Sequence, residues 1–303
     1  MPTIIIRADS SSEIGTGHIM RDLVLANKYK NAKIIFATRN LNGNINDKII
    51  ENNYKIEILA SNNINEMIKI IKKYRVDMVV IDHYGIKYKD EKKLKKKTGV
   101  KILSFDDTYE KHYCDILYNH NISANPKKYK GLVPKHCELR CGSKYTLLRD
   151  EFIIEKKKKR KKISKKEKAI FIAIGGADHS NINISILKVL KSFKKLNINL
   201  VTTNANKNLV ELKKYCKNKK WINLHINSNN IAKLMRKSDF SIVTPSVTVN
   251  EVYYLKIPFI AIKTAENQYD IYKYLKKNGF LVIKKFNSDL LKKAIKKILK
   301  TTR

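Results

Sequence analysis

Apolar residues along this chain come in short runs separated by stretches of helical spacing. Residues 3–7, 33–37, 55–59, 77–81, 101–105 and 115–118 are compact runs rich in Ile and Val, and they predict strands. Between them lie segments such as the one carrying Ile64, Met67, Ile68 and Ile71, which places apolar side chains on one face of a helix. Strands alternating with helices predict βαβ units and a parallel sheet. The alternation stops near Phe152. Residues 156–168 (KKKKRKKISKKEK) are almost wholly basic; like charges repel and nothing there can be buried, so a solvated linker is predicted. A second alternation follows, with strands predicted at 169–174, 199–203, 222–226, 240–244, 259–262 and 281–283. The last helix carries Leu290, Leu291, Ala294, Ile295, Ile298 and Leu299 on one face, with Ser288 as its expected N-cap. The expected fold is α/β, with two Rossmann-like domains (1–155 and 169–303) whose parallel sheets face a central cleft.

Hydrophobic residues make up 43% of the 303, enough for two cores and too many for a disordered chain. No run approaches the roughly 18 apolar residues of a membrane-spanning helix. The apolar triplet at the N-terminus is followed at once by Arg7 and Asp9, unlike a secretory signal. A cytoplasmic protein without a membrane partner is therefore expected. The net charge of +37 would suit a nucleic-acid binder. Its lysines, however, are spread over the whole length among abundant Asn and Ile, residues that share A/T-rich codons. Aromatics do not interleave with the basic runs as base-stacking platforms do. Nucleic acid is accordingly not the expected partner, and no obligate protein partner is inferred. A positive field does draw in an anionic diphosphate. Cys114, Cys137, Cys141 and Cys216 lack the paired spacing of a zinc site, so reduced thiols and no metal are expected.

Candidate chemistry clusters where predicted strands end. The first strand runs into Asp9-Ser10-Ser11-Ser12-Glu13-Ile14-Gly15-Thr16-Gly17-His18, a polar turn opening onto a helix. Gly15 and Gly17 let the backbone approach a ligand, and the helix N-terminus offers free N–H groups. The third glycine of a dinucleotide fingerprint is missing. His18 sits at the mouth of this turn, where the positive end of the helix favours a neutral imidazole able to accept a proton. A histidine that only hydrogen-bonds within its loop is the competing reading. The fourth strand ends in Asp82-His83-Tyr84 and the fifth in Asp106-Asp107, positions that point into a ligand crevice. Tyr84 suits a sugar or a water; the three aspartates serve equally well as turn caps.

In the second half, Gly175 and Gly176 separate a strand from a helix and offer backbone N–H groups to a phosphate, with tight-turn geometry as the alternative. Ser246-Val247-Thr248-Val249-Asn250-Glu251 begins another helix. Its hydroxyls and amides suit a diphosphate, and Glu251 could accept both ribose hydroxyls. Asn267 and Gln268 open a further helix, placed to touch a sugar.

Seven stretches in order, IRADSSSEIGTGHIMRDLVLA, VVIDHYGI, GVKILSFDD, YKGLVPKHCELRCG, IGGAD, NIAKLM and SVTVNE, span nearly the whole chain. Together they resemble the nucleotide-sugar hydrolases of pseudaminic acid biosynthesis, a GT-B-like family. The resemblance implies metal-independent cleavage, without a cofactor, of UDP-2,4-diacetamido-2,4,6-trideoxy-β-L-altropyranose at its C1–O bond, with inversion and release of UDP. It implies that His18 deprotonates the attacking water, that Tyr84 lies by the sugar, that Glu251 holds the uridine ribose, and that Asn267 and Gln268 lie near the reacting end. Gly15, Thr16, Gly17, Gly175, Gly176 and Thr248 complete the expected substrate contacts. Pro245 and Thr248 depart from the family's second-domain motif, and the linker is unusually rich in lysine. A GT-B glycosyltransferase, an epimerase on the same fold and a basic nucleic-acid binder are the rival readings. The transferase needs an acceptor groove, the epimerase releases a rearranged sugar nucleotide, and the binder gives His18 no role.

Overall fold

The computed structural model describes residues 1–159 and 167–301. The chain forms two compact units, 1–147 and 148–303. The first contains β1 (Thr3–Ala8), α1 (Gly17–Ala26), β2 (Lys33–Thr38), α2 (Asn46–Glu51), β3 (Lys55–Ile58), α3 (Ile64–Tyr74), β4 (Met78–Asp82), α4 (Tyr88–Thr98), β5 (Lys101–Phe105), β6 (Ile116–Asn119) and β7 (Glu138–Cys141). Its strands are ordered β3-β2-β1-β4-β5-β6-β7, and every neighbouring pair is parallel. Helices on both faces explain why β1 reads as an unbroken apolar run. Ile4 and Ile6 face one core with Phe36 and Val80, while Ile5 faces the other with Ile35 and Val79. Strand β7, half-exposed and at the sheet edge, was not predicted; its four residues, ELRC, lack an apolar run.

In the second unit, α5 (Asp150–Lys157) precedes β8 (Lys168–Ala173), α6 (Asn183–Leu190), β9 (Leu196–Thr202), α7 (Leu209–Cys216), β10 (Ile222–Ile226), α8 (Ile231–Arg236), β11 (Phe240–Val243), α9 (Val247–Tyr254), β12 (Phe259–Ile262), α10 (Tyr269–Lys277), β13 (Leu281–Ile283) and α11 (Ser288–Thr301). The strand order is β10-β9-β8-β11-β12-β13, again parallel throughout. Both sheets thus reverse direction of growth between their first and fourth strands, and strand ends at such a switch point are where ligands bind in open α/β sheets.

Two boundaries differ from expectation. Helix α5 belongs to the second unit, because Phe152 is fully buried, Glu151 accepts from the Ala232 N–H (2.9 Å) and Lys156 donates to the Tyr254 carbonyl (2.6 Å). The division therefore falls between 147 and 148 instead of at 155. Of the basic segment, 156 and 157 close α5 and 168 opens β8, while 160–166 lie outside the described residues. Ser288 is the first residue of α11, not its cap: Asn287 Oδ1 accepts from the N–H groups of Asp289 (3.0 Å) and Leu290 (2.9 Å). Leu291, Ile295 and Ile298 of that helix are buried against the sheet, and Leu290 is exposed.

Candidate active site

The turn after β1 is anchored by a buried ionic cluster. Arg7, fully buried, donates to both oxygens of Asp9 (2.6 and 2.9 Å); Arg39 Nε (2.8 Å) and His83 Nε2 (3.1 Å) reach the same carboxylate. Burial pushes the Asp9 carboxyl up, but the bonds from His83, Arg7 and Arg39 outweigh it and hold the group well below the usual carboxylate range. With its start fixed, the loop doubles back. Gly15 N–H donates to the Ser11 carbonyl (2.8 Å), and Gly15 adopts φ +83°, a conformation that disfavours a side chain. Gly17, exposed, then begins α1, and Thr16 supplies no side-chain cap, so the helix start keeps N–H groups for a ligand.

His18 is buried to 8% exposure, and its Nδ1 lies 2.7 Å from Asp82 Oδ1 at the end of β4, the strand beside β1. With a carboxylate acceptor at 2.7 Å, the tautomer with its proton on Nδ1 and a lone pair on Nε2 fits this contact, and Arg21 Nη2 lies 3.1 Å from the same Nδ1. Arg21, one turn along α1, grips Asp82 with two bonds: Nε to Oδ2 at 2.5 Å and Nη2 to Oδ1. Its guanidinium stacks over Phe105, 5.0 Å from the ring centroid. Burial raises the Asp82 carboxyl, yet Arg21 first and His18 second pull it far below normal, so the aspartate is a fixed anion behind the imidazole. The Tyr84 ring stands edge-on to His18, with centroids 5.2 Å apart.

The three aspartates at these strand ends have different surroundings. Asp82 orients His18. Asp106 closes its own turn, accepting from Thr108 N–H and hydroxyl (3.0 Å each), Glu110 N–H (3.2 Å) and the Tyr129 hydroxyl (2.8 Å). Asp107 accepts from the Tyr84 hydroxyl, 3.0 Å from each carboxylate oxygen. Nearby, His112 Nδ1 lies 2.8 Å from the buried Glu91, and Asp106 and Glu91 together overcome burial to raise its pKa to about 9. His120, buried with its Nε2 unpartnered, is driven the other way, to about 3, by burial and the Arg21 charge.

The second unit has a quieter set. Gly176 faces Thr203, whose Cγ2 would sit 2.8 Å from an added Cβ, and its carbonyl accepts from Thr202 and Thr203 hydroxyls (3.0 Å each). Close packing alone therefore requires glycine at 176, and the φ of +76° at Gly175 favours glycine there too. Helix α9 starts without a side-chain cap, because the Ser246 hydroxyl pairs with Thr244 (3.0 Å) instead; Thr248 is half-buried in its first turn. Glu251 is buried, with Oε1 3.2 Å from Arg149 Nη2; burial raises its pKa and Arg149 lowers it less. Gln268 bonds back to the Thr264 N–H (2.8 Å) and hydroxyl, which fixes the turn ahead of α10, while Asn267 is exposed.

The expected loop therefore brings together His18, Asp82 and Tyr84 in the first unit, and the second gathers Gly175, Gly176, Thr248 and Glu251 at its switch point. Arg21 and Arg149 were missed. Arg21 carried a signal, since it lies three residues after His18 and shares its helix face; Arg149 stands beside no glycine or hydroxyl run.

Two parallel sheets of this order define the class: the protein has the GT-B-like α/β fold. Among solved structures, MurG of Acinetobacter baumannii is similar, with a TM-score of 0.66 and 12% identity, covering 99% of this chain and 91% of that one. So is UDP-GlcNAc 2-epimerase of Neisseria meningitidis bound to UDP-GlcNAc, with a TM-score of 0.65 and 11% identity over 99% and 92%. At such identities the likeness is one of fold. No protein-family model matches the chain. In sequence it is 43% identical, over 283 residues, to the UDP-2,4-diacetamido-2,4,6-trideoxy-β-L-altropyranose hydrolase of Campylobacter jejuni, a match covering 93% of this chain and 99% of that one. The chain belongs to that hydrolase family.

Proposed function

We propose that the protein hydrolyses UDP-2,4-diacetamido-2,4,6-trideoxy-β-L-altropyranose to UDP and 2,4-diacetamido-2,4,6-trideoxy-L-altrose, in the cytoplasm, as a step of pseudaminic acid biosynthesis. The observation that carries the reading is the His18–Asp82 pair at 2.7 Å, clamped by Arg21. His18 Nε2 takes one proton from a water; the water oxygen bonds to C1 from the face opposite UDP. The C1–O bond breaks, and its electron pair leaves on the diphosphate. Asp82 stabilises the imidazolium that forms, in the way a buried aspartate supports the histidine of a catalytic triad. The proton then passes to solvent. An inverting displacement of this kind needs one base and no covalent carboxylate intermediate.

In this reading Gly15, Thr16, Gly17 and Tyr84 contact the sugar. The amides at Gly175, Gly176 and the start of α9, with Thr248, hold the diphosphate, and Glu251, steadied by Arg149, accepts the ribose hydroxyls. Asn267 and Gln268 lie near the reacting end, with Gln268 acting through the turn it ties. The test is incubation of pure protein with the UDP-sugar in the presence of a chelator, with UDP and the product anomer followed by NMR. Release of UDP and the inverted anomer is expected, and His18→Ala should fold and lose turnover. A sugar transferred to an acceptor, or a rearranged UDP-sugar, would instead indicate a transferase or an epimerase.

A further inference from the structure

Four carboxyl groups line the cavity at the ends of β4 and β5: Asp82, Asp106, Asp107 and Glu110. Three of them are already engaged on several sides or by a cation. Asp82 accepts from Arg21 and His18, Asp106 from Thr108, Glu110 and Tyr129, and Glu110 pairs with Lys87 at 2.5 Å. Asp107 differs. It is half-buried, and among the described residues its two oxygens take one hydrogen-bond donor, the Tyr84 hydroxyl. A carboxylate offers about four lone-pair positions, which a single O–H cannot fill. The Tyr84 ring spans from Asp107 to the edge of His18. The adjoining cavity is lined by Asp107, Tyr84, Arg21 and Asp82, with His18 one ring away behind Tyr84; its volume is about 20 Å³, and a water needs roughly 10–15 Å³.

We propose that Asp107 is a catalytic residue whose carboxylate accepts the second hydrogen of the water that His18 deprotonates. A water held through one hydrogen swings about that bond. Held through both, it directs a lone pair outward along one line, and that line must meet C1 for displacement to occur. One hydrogen goes to His18 Nε2 as a proton. The other stays on oxygen, bonded to Asp107, and becomes the hydrogen of the new anomeric hydroxyl. Tyr84 fixes the carboxylate rather than the water.

The inference rests on the hydrolase reading above, and the two fail separately: a wild-type protein without UDP release overturns the hydrolase, not the role of Asp107 within it. The experiment measures kcat and KM for Asp107→Ala, Asp107→Asn, Tyr84→Phe and the double variant Tyr84→Phe/Asp107→Ala, using the same UDP-sugar. Asp107→Ala should lower kcat about 30-fold with KM within about threefold of wild type. Asp107→Asn, which keeps one acceptor oxygen, should lose about three- to tenfold. In the Tyr84→Phe background, Asp107→Ala should still cost at least about tenfold. A kcat for Asp107→Ala within threefold of wild type overturns the proposal, as does a double variant no slower than Tyr84→Phe alone, which would make Asp107 a support for Tyr84. If Asp107→Ala fails to fold, Asp107→Asn decides: unchanged kcat rejects the role.

Discussion

The same sheet order is repeated in the two units, yet their switch points hold different chemistry. In the first, strand ends carry charged groups held in pairs: Asp9 with Arg7 and Asp82 with Arg21. In the second, the corresponding positions hold glycines, threonines and two carboxylates without a paired cation cluster: Glu251 beside Arg149, and Asp178, which accepts from Ser180, Ile182 and Asn183. Buried ion pairs cost desolvation and stabilise only when their geometry is closed. A fold keeps them where a side chain must stand in one orientation and one protonation state. Backbone amides and hydroxyls require no such scaffolding to receive a phosphate. In the proposed reading, proton transfer falls to the first unit and nucleotide holding to the second, and substitutions should separate the two.

The largest effect expected is that of His18→Ala, a fall in kcat of about 10³-fold, with UDP affinity by calorimetry unchanged within twofold. A drop in UDP affinity of similar size would erase the division of labour. Next comes pH. The folded pKa of His112 is raised from 6.5 to about 9, so its stabilisation is whole below pH 6.5 and disappears as pH rises through 9. That amounts to about 3 kcal/mol. Protection factors over residues 101–119, which remove the intrinsic rise of exchange with pH, should fall across that window and cease to do so in His112→Gln, while those of the second unit's strands stay constant. His120 acts with opposite sign: its pKa is lowered to about 3, so its contribution is present above pH 6.5 and fades as pH falls toward 3.

Asp82→Asn should lower kcat about 100-fold by freeing the imidazole and should also reduce thermal stability, because Arg21 is left buried without its anion. Full activity in this variant would mean that Asp82 does not orient the base. Smallest is Glu251→Ala, expected to raise KM about tenfold with kcat within threefold; a loss confined to kcat would move Glu251 into the chemistry.

Much of the fold could be read along the chain. Each of the twelve predicted strands overlaps an observed one, because apolar patterning, unbroken in strands buried on both faces such as β4 and alternating in β9, is a local signal. Strand β7, ELRC, escaped because it lacks an apolar run, whereas the other edge strands, β3, β10 and β13, keep theirs. His18 could be picked out as a candidate from its place after a glycine turn. Its partner could not: Asp82 lies 64 residues away, and nothing in VVIDHYGI separates an orienting aspartate from a turn cap. The same holds for the adjacent pair Asp106 and Asp107, alike in type but unlike in surroundings.

What the linear order of residues determined was therefore the alternation, the two sheets and the polar turns at their strand ends, since periodicity and turn chemistry act over a few neighbours. Only the tertiary structure decided which carboxylate stands behind His18, that Arg21 clamps it, that Gln268 ties a turn, and that two buried histidines have their pKa values pushed in opposite directions. Those outcomes depend on burial and on charges brought within a few ångströms from distant parts of the chain, and electrostatic energy follows distance in space rather than along the backbone.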